Sequence, residues 1–101
     1  MLEVTEMYIL AKGDSMLPTL TDGEYYRIEP IENGEISPKD IIVFNINGIT
    51  ICHRVLQVIH TKSGKVFIKT KGDNCPSPDN FAVTIDMVIG KVQELQNCIL
   101  D

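Results

Sequence analysis

A serine held in a turn framed by glycine and proline is the first residue whose setting could support chemistry. Ser15 follows Gly13 and precedes Pro18 in the segment KGDSMLPTL, directly after a run of residues typical of a β-strand. Gly13 permits a sharp exit from the strand, and Pro18 constrains the chain soon after the hydroxyl. A serine presented in this way could attack a substrate backbone. The same residues would also suit an ordinary turn in which Asp14 or Ser15 caps the backbone.

A histidine in a mostly apolar row is the second such residue. Strict alternation along residues 49–59 places His53 on one face with Ile49, Ile51, Val55, Gln57 and Ile59. Histidine titrates near neutral pH, so a partly buried imidazole is suited to general-base catalysis. A core histidine bonded to a backbone carbonyl would give the same pattern. The residues alone leave both interpretations open.

The elements that must position these side chains are short β-strands. We predict strands over residues 7–11, 25–29, 40–45, 49–59, 66–70 and 87–95. Asn47 and Gly48 predict a tight hairpin, and residues 71–80, which contain two prolines, predict an irregular loop. No stretch keeps the apolar spacing of an amphipathic helix over three turns. The predicted fold is therefore all-β, with mostly antiparallel strands.

Size and charge exclude several functional classes. The 101 residues, 44% of them apolar, predict one small domain over residues 1–101. The 14 acidic residues outnumber the 9 basic ones, so no basic surface is expected to bind nucleic acid. The longest apolar stretch, residues 41–52, is interrupted by polar residues and is shorter than the roughly 18 residues of a membrane span. Since residues 1–6 lack the pattern of a secretory signal, we expect a cytoplasmic location.

The cysteines predict neither a disulfide framework nor a metal site. Cys52, Cys75 and Cys98 are odd in number, and no pair of them has the Cys-x-x-Cys spacing. Adding the two histidines still gives no grouped ligands at the spacings that zinc sites use. We therefore expect reduced thiols, no metal and no cofactor.

Four segments, in this order, resemble the motifs of the signal peptidase I and LexA-like serine peptidase superfamily. They are GDSMLPTL (residues 13–20), PKDIIVF (38–44), HRV (53–55) and KGDN (71–74). The first resembles the nucleophile motif, the second a family strand with Lys39 where glycine is usual, and the third the strand that bears the base. The fourth, followed by Asp79, resembles the last motif of the family. The resemblance covers about residues 7–92 and implies a small all-β peptidase core.

The resemblance implies three catalytic roles, with two candidate residues for the third. Ser15 corresponds to the nucleophile, and His53 stands where bacterial signal peptidases and LexA-like proteins carry a lysine base. Histidine at this place is the pattern of endoplasmic-reticulum, archaeal and some sporulation-type signal peptidases, in which an aspartate of the last motif supports it. That implies Asp79 or Asp73, each of which would also suit an ordinary turn. We favour Asp79, which follows two stiffening prolines, and expect Asp73 to make a structural contact such as an ion pair with Arg54.

The resemblance also implies an extended peptide substrate with a small residue before the scissile bond. We expect the peptide to pair with exposed strand edges near residues 7–12 and 40–44. Met16, Leu17 and Ile42 are candidate substrate-binding residues, although each would also suit plain packing. The expected function is cleavage of a leader, signal or precursor peptide through an acyl-enzyme. The alternative is a LexA-like module that binds a peptide, or cleaves itself, without turnover.

The position of the nucleophile bears on partners. Ser15 lies so early in the sequence that little room remains for the N-terminal membrane helix that signal peptidases usually carry. We therefore expect either a soluble processing peptidase or a catalytic core that works with a membrane-associated partner. We also expect no DNA-binding domain before the core, which disfavours a LexA-type repressor.

Overall fold

A computed structural model describes residues 7–31 and 35–93. These residues form strands β1 (Met7–Leu10), β2 (Tyr25–Glu29), β3 (Ile41–Ile46), β4 (Ile49–His60), β5 (Val66–Lys71), β6 (Val83–Thr84) and β7 (Val88–Val92), and a short 3-10 helix (Ile85–Met87). Every strand pairs with its neighbours antiparallel in one sheet of order β1-β2-β7-β3-β4-β5-β6. The predicted all-β fold is confirmed. No helix among the described residues is long and apolar enough to span a bilayer.

Five of the six predicted strands lie within a residue of the observed bounds at each end. The sixth begins at Val88 because the 3-10 helix takes up Met87, and its predicted end at residue 95 lies outside the described residues. Strand β6 was not predicted, since a strand of two residues is too short to show alternation. It pairs with β5 by placing Val83 opposite Ile68.

The central strand β3 is buried on both of its faces. It lies between β7 and β4, and its residues 41–44 are all buried. One face contributes to a cluster of Ile36, Ile42, Phe44, Val55, Ile68 and Val83, and the other contributes Ile41 to a cluster with Met16 and Leu20. Two sequence predictions are therefore wrong. Residues 40–44 do not form an exposed edge, and Ile42, which is 0% exposed, cannot contact a substrate.

A β-bulge changes the second half of the long strand β4. Val55 pairs with Thr70, whereas Gln57 pairs with Lys69, so one residue of β4 is extra at this point. The inward positions consequently shift, and Val58 packs against the core while Gln57 is exposed. The strict alternation predicted for residues 49–59 holds only as far as Val55. His53 lies before the bulge and keeps its inward direction, with 9% of its surface exposed.

Candidate active site

The loop between β1 and β2 is closed at its base and leaves the sheet sharply. The Ala11 N–H donates to the Glu24 carbonyl at 2.9 Å, and the Gly23 N–H donates to the Ala11 carbonyl at 2.8 Å. Gly13 has φ +84°, a conformation that glycine adopts readily, and its N–H donates to Asp22 Oδ1 at 2.7 Å. The chain therefore turns at Gly13, as its position before the serine predicted.

A tight turn over residues 16–20 follows Ser15 and fixes its position. The N–H groups of Thr19 and Leu20 both donate to the Met16 carbonyl, at 2.8 and 2.9 Å. Met16 and Leu20 are buried and pack with Ile41, which anchors the turn to the sheet. Ser15 precedes this anchored turn and is only half-buried. Its hydroxyl is thus accessible while its backbone is held in place.

Ser15, His53 and Asp79 lie in a continuous hydrogen-bonded chain. The His53 Nε2 is 3.2 Å from Ser15 Oγ, and the His53 Nδ1 is 2.7 Å from Asp79 Oδ2. A carboxylate can only accept, so the Nδ1 carries the proton and the Nε2 is free to accept from the serine hydroxyl. The side chains of His53 and Asp79 are 11% and 12% exposed, so the hydrogen bond between them is largely shielded from water. The arrangement is the one a serine nucleophile and its base require.

Asp79 is hydrogen-bonded to Thr70, a residue that was not a candidate in the sequence analysis. The Thr70 hydroxyl donates to Asp79 Oδ2 at 2.7 Å, and the Asp79 N–H donates to the Thr70 carbonyl at 2.9 Å. Thr70 is completely buried on β5. A polar residue at the inward position after Val66 and Ile68 is the sequence signal that could have found it.

Asp73 lies in a different contact, with Arg54. The guanidinium donates to the carboxylate through Nε at 2.8 Å and Nη2 at 2.7 Å, and its Nη1 donates to the Lys39 carbonyl at 2.8 Å. The Thr19 hydroxyl also donates to Asp73, at 2.6 Å. The hydrogen bonds from Arg54, helped by that from Thr19, lower the pKa of Asp73 against the opposing effect of burial. Asp73 is thus a charged structural anchor and does not contact His53 through any of these bonds.

The loop after β5 also binds the backbone around the serine. The Asn74 N–H donates to the Ser15 carbonyl at 2.7 Å, and its side chain donates to the Asp14 carbonyl at 3.0 Å. A Cβ at Gly72 would lie 2.8 Å from the Ser15 carbonyl oxygen and 3.1 Å from His53 Nε2. Only glycine fits here without displacing Ser15 or His53, which gives a steric reason for the glycine of the KGDN motif.

An apolar cleft of about 450 Å³ adjoins Ser15 and His53. Its other lining residues come from β1, the loop that carries Ser15 and the start of β4: Ile9, Leu10, Ala11, Lys12, Gly13, Met16, Leu20, Thr50, Ile51 and Cys52. Of the two candidate substrate-binding residues next to Ser15, Met16 lines the cleft, whereas Leu17 is not among the residues that line it. Among the described strands, β1 pairs only with β2, and residues 49–53 of β4 pair only with β3. Both sides of the cleft thus carry a strand with one unpaired edge.

Cys52 lines the same cleft, but its thiol is not activated as a nucleophile. Burial raises the pKa of Cys52 to about 12, so the thiol stays protonated at neutral pH. A thiol is a poor nucleophile in its protonated form. Cys52 packs with the Met16 and Leu20 cluster and contributes a small apolar surface.

Comparison with known proteins places the chain in a family. Residues 3–92 match the Peptidase S24-like family. The chain is also 31% identical over 94 residues to the "Signal peptidase complex catalytic subunit sec11" of Dictyostelium discoideum. This match covers 84% of the chain and 52% of that protein, so the chain spans about half the length of the relative. The order of the four motifs, the all-β sheet and the extent of the family match lead to one conclusion: the chain belongs to the Peptidase S24-like family, within the signal peptidase and LexA-like superfamily.

Proposed function

We propose that the protein is a serine endopeptidase that cleaves an extended peptide through an acyl-enzyme on Ser15. The observation that carries the proposal is the continuous contact from Ser15 Oγ through His53 to Asp79, at 3.2 and 2.7 Å, beside an open cleft. In this proposal Ser15 is the nucleophile, His53 the general base and Asp79 the acid that orients it. Asp73 supports the site through Arg54 and takes no direct part in the chemistry.

The proposed reaction uses the free Nε2 of His53. Ser15 Oγ attacks the peptide carbonyl carbon while its proton passes to Nε2, and Asp79 stabilises the imidazolium that results. His53 then gives this proton to the leaving amine, the C–N bond breaks, and the acyl-enzyme remains. A water molecule, deprotonated by His53, attacks the ester and releases the acid product and the serine hydroxyl.

The oxyanion of the tetrahedral intermediate needs donors that are not already occupied. Gly13 has no hydroxyl to offer, and its N–H is bound to Asp22. We propose the backbone N–H of Ser15 as the principal donor, since it belongs to the nucleophile itself and its residue is held by the bond from Asn74 to the Ser15 carbonyl. The strength of this donor depends on the rigidity of the loop, which the contacts of residues 72–75 supply.

The substrate is proposed to lie between β1 and the start of β4 as an additional strand. Main-chain bonds to the unpaired edges would supply affinity, and the apolar cleft would select the side chains next to the cut. Met16 and Cys52 are the proposed walls near Ser15, with Leu17 outside this set. The named relative is a catalytic subunit of a signal peptidase complex. We therefore propose a leader, signal or precursor peptide as substrate and a membrane-associated partner for this chain.

The test compares Ser15→Ala with Ser63→Ala in the purified protein. The probe is a precursor protein whose signal segment ends in an Ala-x-Ala cleavage site. Ser63 lies in the exposed turn between β4 and β5, so its variant controls for loss of any surface hydroxyl. We expect Ser15→Ala to lose cleavage by about 10⁴-fold or more, with an unchanged melting temperature, while Ser63→Ala cleaves normally.

Two results would contradict the proposal. Equal cleavage by the wild type and Ser15→Ala would exclude Ser15 as nucleophile. Binding of the precursor without any turnover, and without an acyl-enzyme mass in acid-quenched wild-type protein, would favour the alternative of a LexA-like binding module.

A further inference from the structure

We propose that Thr70 is a positioning residue for catalysis. Its hydroxyl orients the Asp79 carboxylate toward His53 and weakens the attraction of that carboxylate for the imidazolium. This inference rests on the proposed function, because it assigns Asp79 as the acid partner of the base. It adds a fourth side chain, one that touches neither the substrate nor Ser15.

Thr70 is a polar residue at a fully buried position of β5. Thr70 is 0% exposed and sits opposite Val55, which belongs to the larger core cluster. A hydroxyl at such a site destabilises the fold unless it is hydrogen-bonded, and valine would fill the same volume without that requirement. The bond to Asp79 Oδ2 at 2.7 Å meets the requirement. The buried Thr70 hydroxyl therefore depends on the Asp79 carboxylate for its hydrogen bond.

Thr70 holds Asp79 at two points. The Asp79 backbone N–H donates to the Thr70 carbonyl at 2.9 Å, and the Thr70 hydroxyl donates to the Asp79 side chain. The backbone bond fixes where the chain returns after Pro76 and Pro78, and the hydroxyl fixes the rotation of the carboxylate. Together they aim Oδ2 at His53 Nδ1, which lies 2.7 Å away.

One oxygen thus accepts from two donors at once. Asp79 Oδ2 receives both the Thr70 hydroxyl and the His53 Nδ1–H. The bond from threonine stabilises negative charge on this oxygen and competes with the imidazolium for it. Removing the hydroxyl should leave a carboxylate that attracts the imidazolium more strongly, so His53 would keep its proton to higher pH. The free carboxylate should also rotate, which would loosen the base in front of Ser15.

Substitution at Thr70 leaves the surrounding charges in place. The other titratable groups on the elements around His53 and Asp79 are Cys52, Arg54 and His60 on β4, Lys69 and Lys71 on β5, Lys12, Asp14, Asp22 and Glu24 in the loop that carries Ser15, and Asp73 and Cys75 in the loop after β5. Arg54 and Asp73 remain paired with each other, and the buried thiol of Cys52 remains protonated. A change in the pH profile can then be assigned to the lost hydroxyl.

The experiment compares Thr70→Val, Thr70→Ser and Ile68→Val. The valine variant removes only the hydroxyl, the serine variant keeps it, and the Ile68 variant trims the same buried strand without touching the site. Each variant is assayed with the signal-bearing precursor across the histidine pH range. We expect Thr70→Val to lose about 10- to 100-fold in kcat with little change in KM, and the rising limb of its pH profile to move to higher pH. Thr70→Ser and Ile68→Val should keep the wild-type pH profile, whatever their melting temperatures.

A second measurement does not depend on cleavage. The titration of His53 is followed by NMR in Thr70→Val and in the wild type, with a His60→Gln variant to assign the two histidines. We expect the His53 midpoint in Thr70→Val to rise by about half a pH unit or more. If Thr70→Val does not fold, the same midpoint is read in Thr70→Ala, with the same expectation.

The outcomes separate the two proposals. A wild-type rate and an unmoved His53 midpoint in Thr70→Val would overturn the role of Thr70 while Ser15→Ala still abolishes cleavage. Persistent cleavage by Ser15→Ala would instead overturn the proposed function. A loss of rate in Ile68→Val equal to that in Thr70→Val would mean that Thr70 acts only through packing, and would also overturn the inference.

Discussion

His53 and Arg54 are neighbours on β4, and each binds one aspartate of the loop that follows β5. His53 contacts Asp79 at 2.7 Å, and Arg54 contacts Asp73 at 2.7 and 2.8 Å. Each aspartate also accepts a bond from a threonine hydroxyl. Because successive residues of a strand point to opposite faces, the two contacts lie on opposite sides of β4. The molecule therefore contains two similar assemblies made from adjacent positions.

The two assemblies differ in what the basic group can still do. Arg54 is always charged, and its bonds to Asp73 and the Lys39 carbonyl fasten loops together. His53 keeps one ring nitrogen, Nε2, directed at Ser15 Oγ, where it can accept a hydrogen bond from the hydroxyl. The same aspartate–threonine support thus holds a histidine that faces Ser15 on one face and joins loops on the other. Variants on the His53 side should change rate, and variants on the Arg54 side should change stability.

Among variants of the two assemblies, the largest expected effect is that of Asp79→Asn on rate. The amide cannot hold the Nδ1–H tautomer of His53 as a carboxylate does, so we expect kcat to fall by roughly 10² to 10⁴-fold. The melting temperature should change little, since asparagine keeps the shape of aspartate and the backbone N–H of residue 79 still donates to the Thr70 carbonyl. Steady-state cleavage of the precursor and thermal unfolding measure the two effects. A rate-neutral Asp79→Asn would reduce the site to a Ser15–His53 dyad.

The matching substitution on the other face, Asp73→Asn, should act mainly on stability. It weakens a two-bond ion pair whose side chains are 30% and 18% exposed, and we expect a loss of about 1 kcal/mol. For a domain of this size that lowers the melting temperature by roughly 4–8 °C. The rate should fall far less than in Asp79→Asn. If Asp73→Asn instead loses rate at an unchanged melting temperature, the two aspartates exchange roles.

The stability that Asp73 provides should depend on pH. Its pKa is lowered in the folded protein, chiefly by the hydrogen bonds from Arg54, so folding favours the ionised form. This contribution is complete above the ordinary aspartate range and is lost as the pH falls through the lowered pKa. The difference in melting temperature between the wild type and Asp73→Asn should therefore be largest near neutral pH and shrink from about pH 5 to pH 2. A difference that stays constant over this range would show that the charge of Asp73 contributes nothing.

The smallest expected effect is a gain on the Arg54 side. Lys39, whose carbonyl accepts from Arg54, has φ +83°, which is strained for a residue with a Cβ. Lys39→Gly should raise the free energy of unfolding by about 0.5–1 kcal/mol and leave cleavage unchanged. Asn47→Gly is the control, because Asn47 has φ 53° and asparagine tolerates this region better, so the gain there should be smaller. Urea unfolding measures both, and a destabilised Lys39→Gly would mean that the lysine side chain contributes contacts of its own.

Short-range features of the site could be predicted from consecutive residues. The turn at Gly13, the strands flanking Ser15, and the inward direction of His53 depend on local backbone preferences and on alternation, which are properties of neighbouring positions. The four motifs likewise occur in order along the chain, so the linear sequence alone is enough to indicate the family.

Other features were decided only when distant segments came together. Ile42 is expected at a substrate-facing edge until β7 covers the second edge of β3, and the bulge after Val55 follows from the register of β4 against β5. The Thr70 hydroxyl has a hydrogen-bond acceptor only because the loop that contains two prolines brings Asp79 back to β5. Alternation states which residues share a face, but it does not state which strand pairs on each edge or which loop covers that face. Those pairings join residues far apart in the chain, and the free energy that selects them comes from packing and hydrogen bonds that no local window contains.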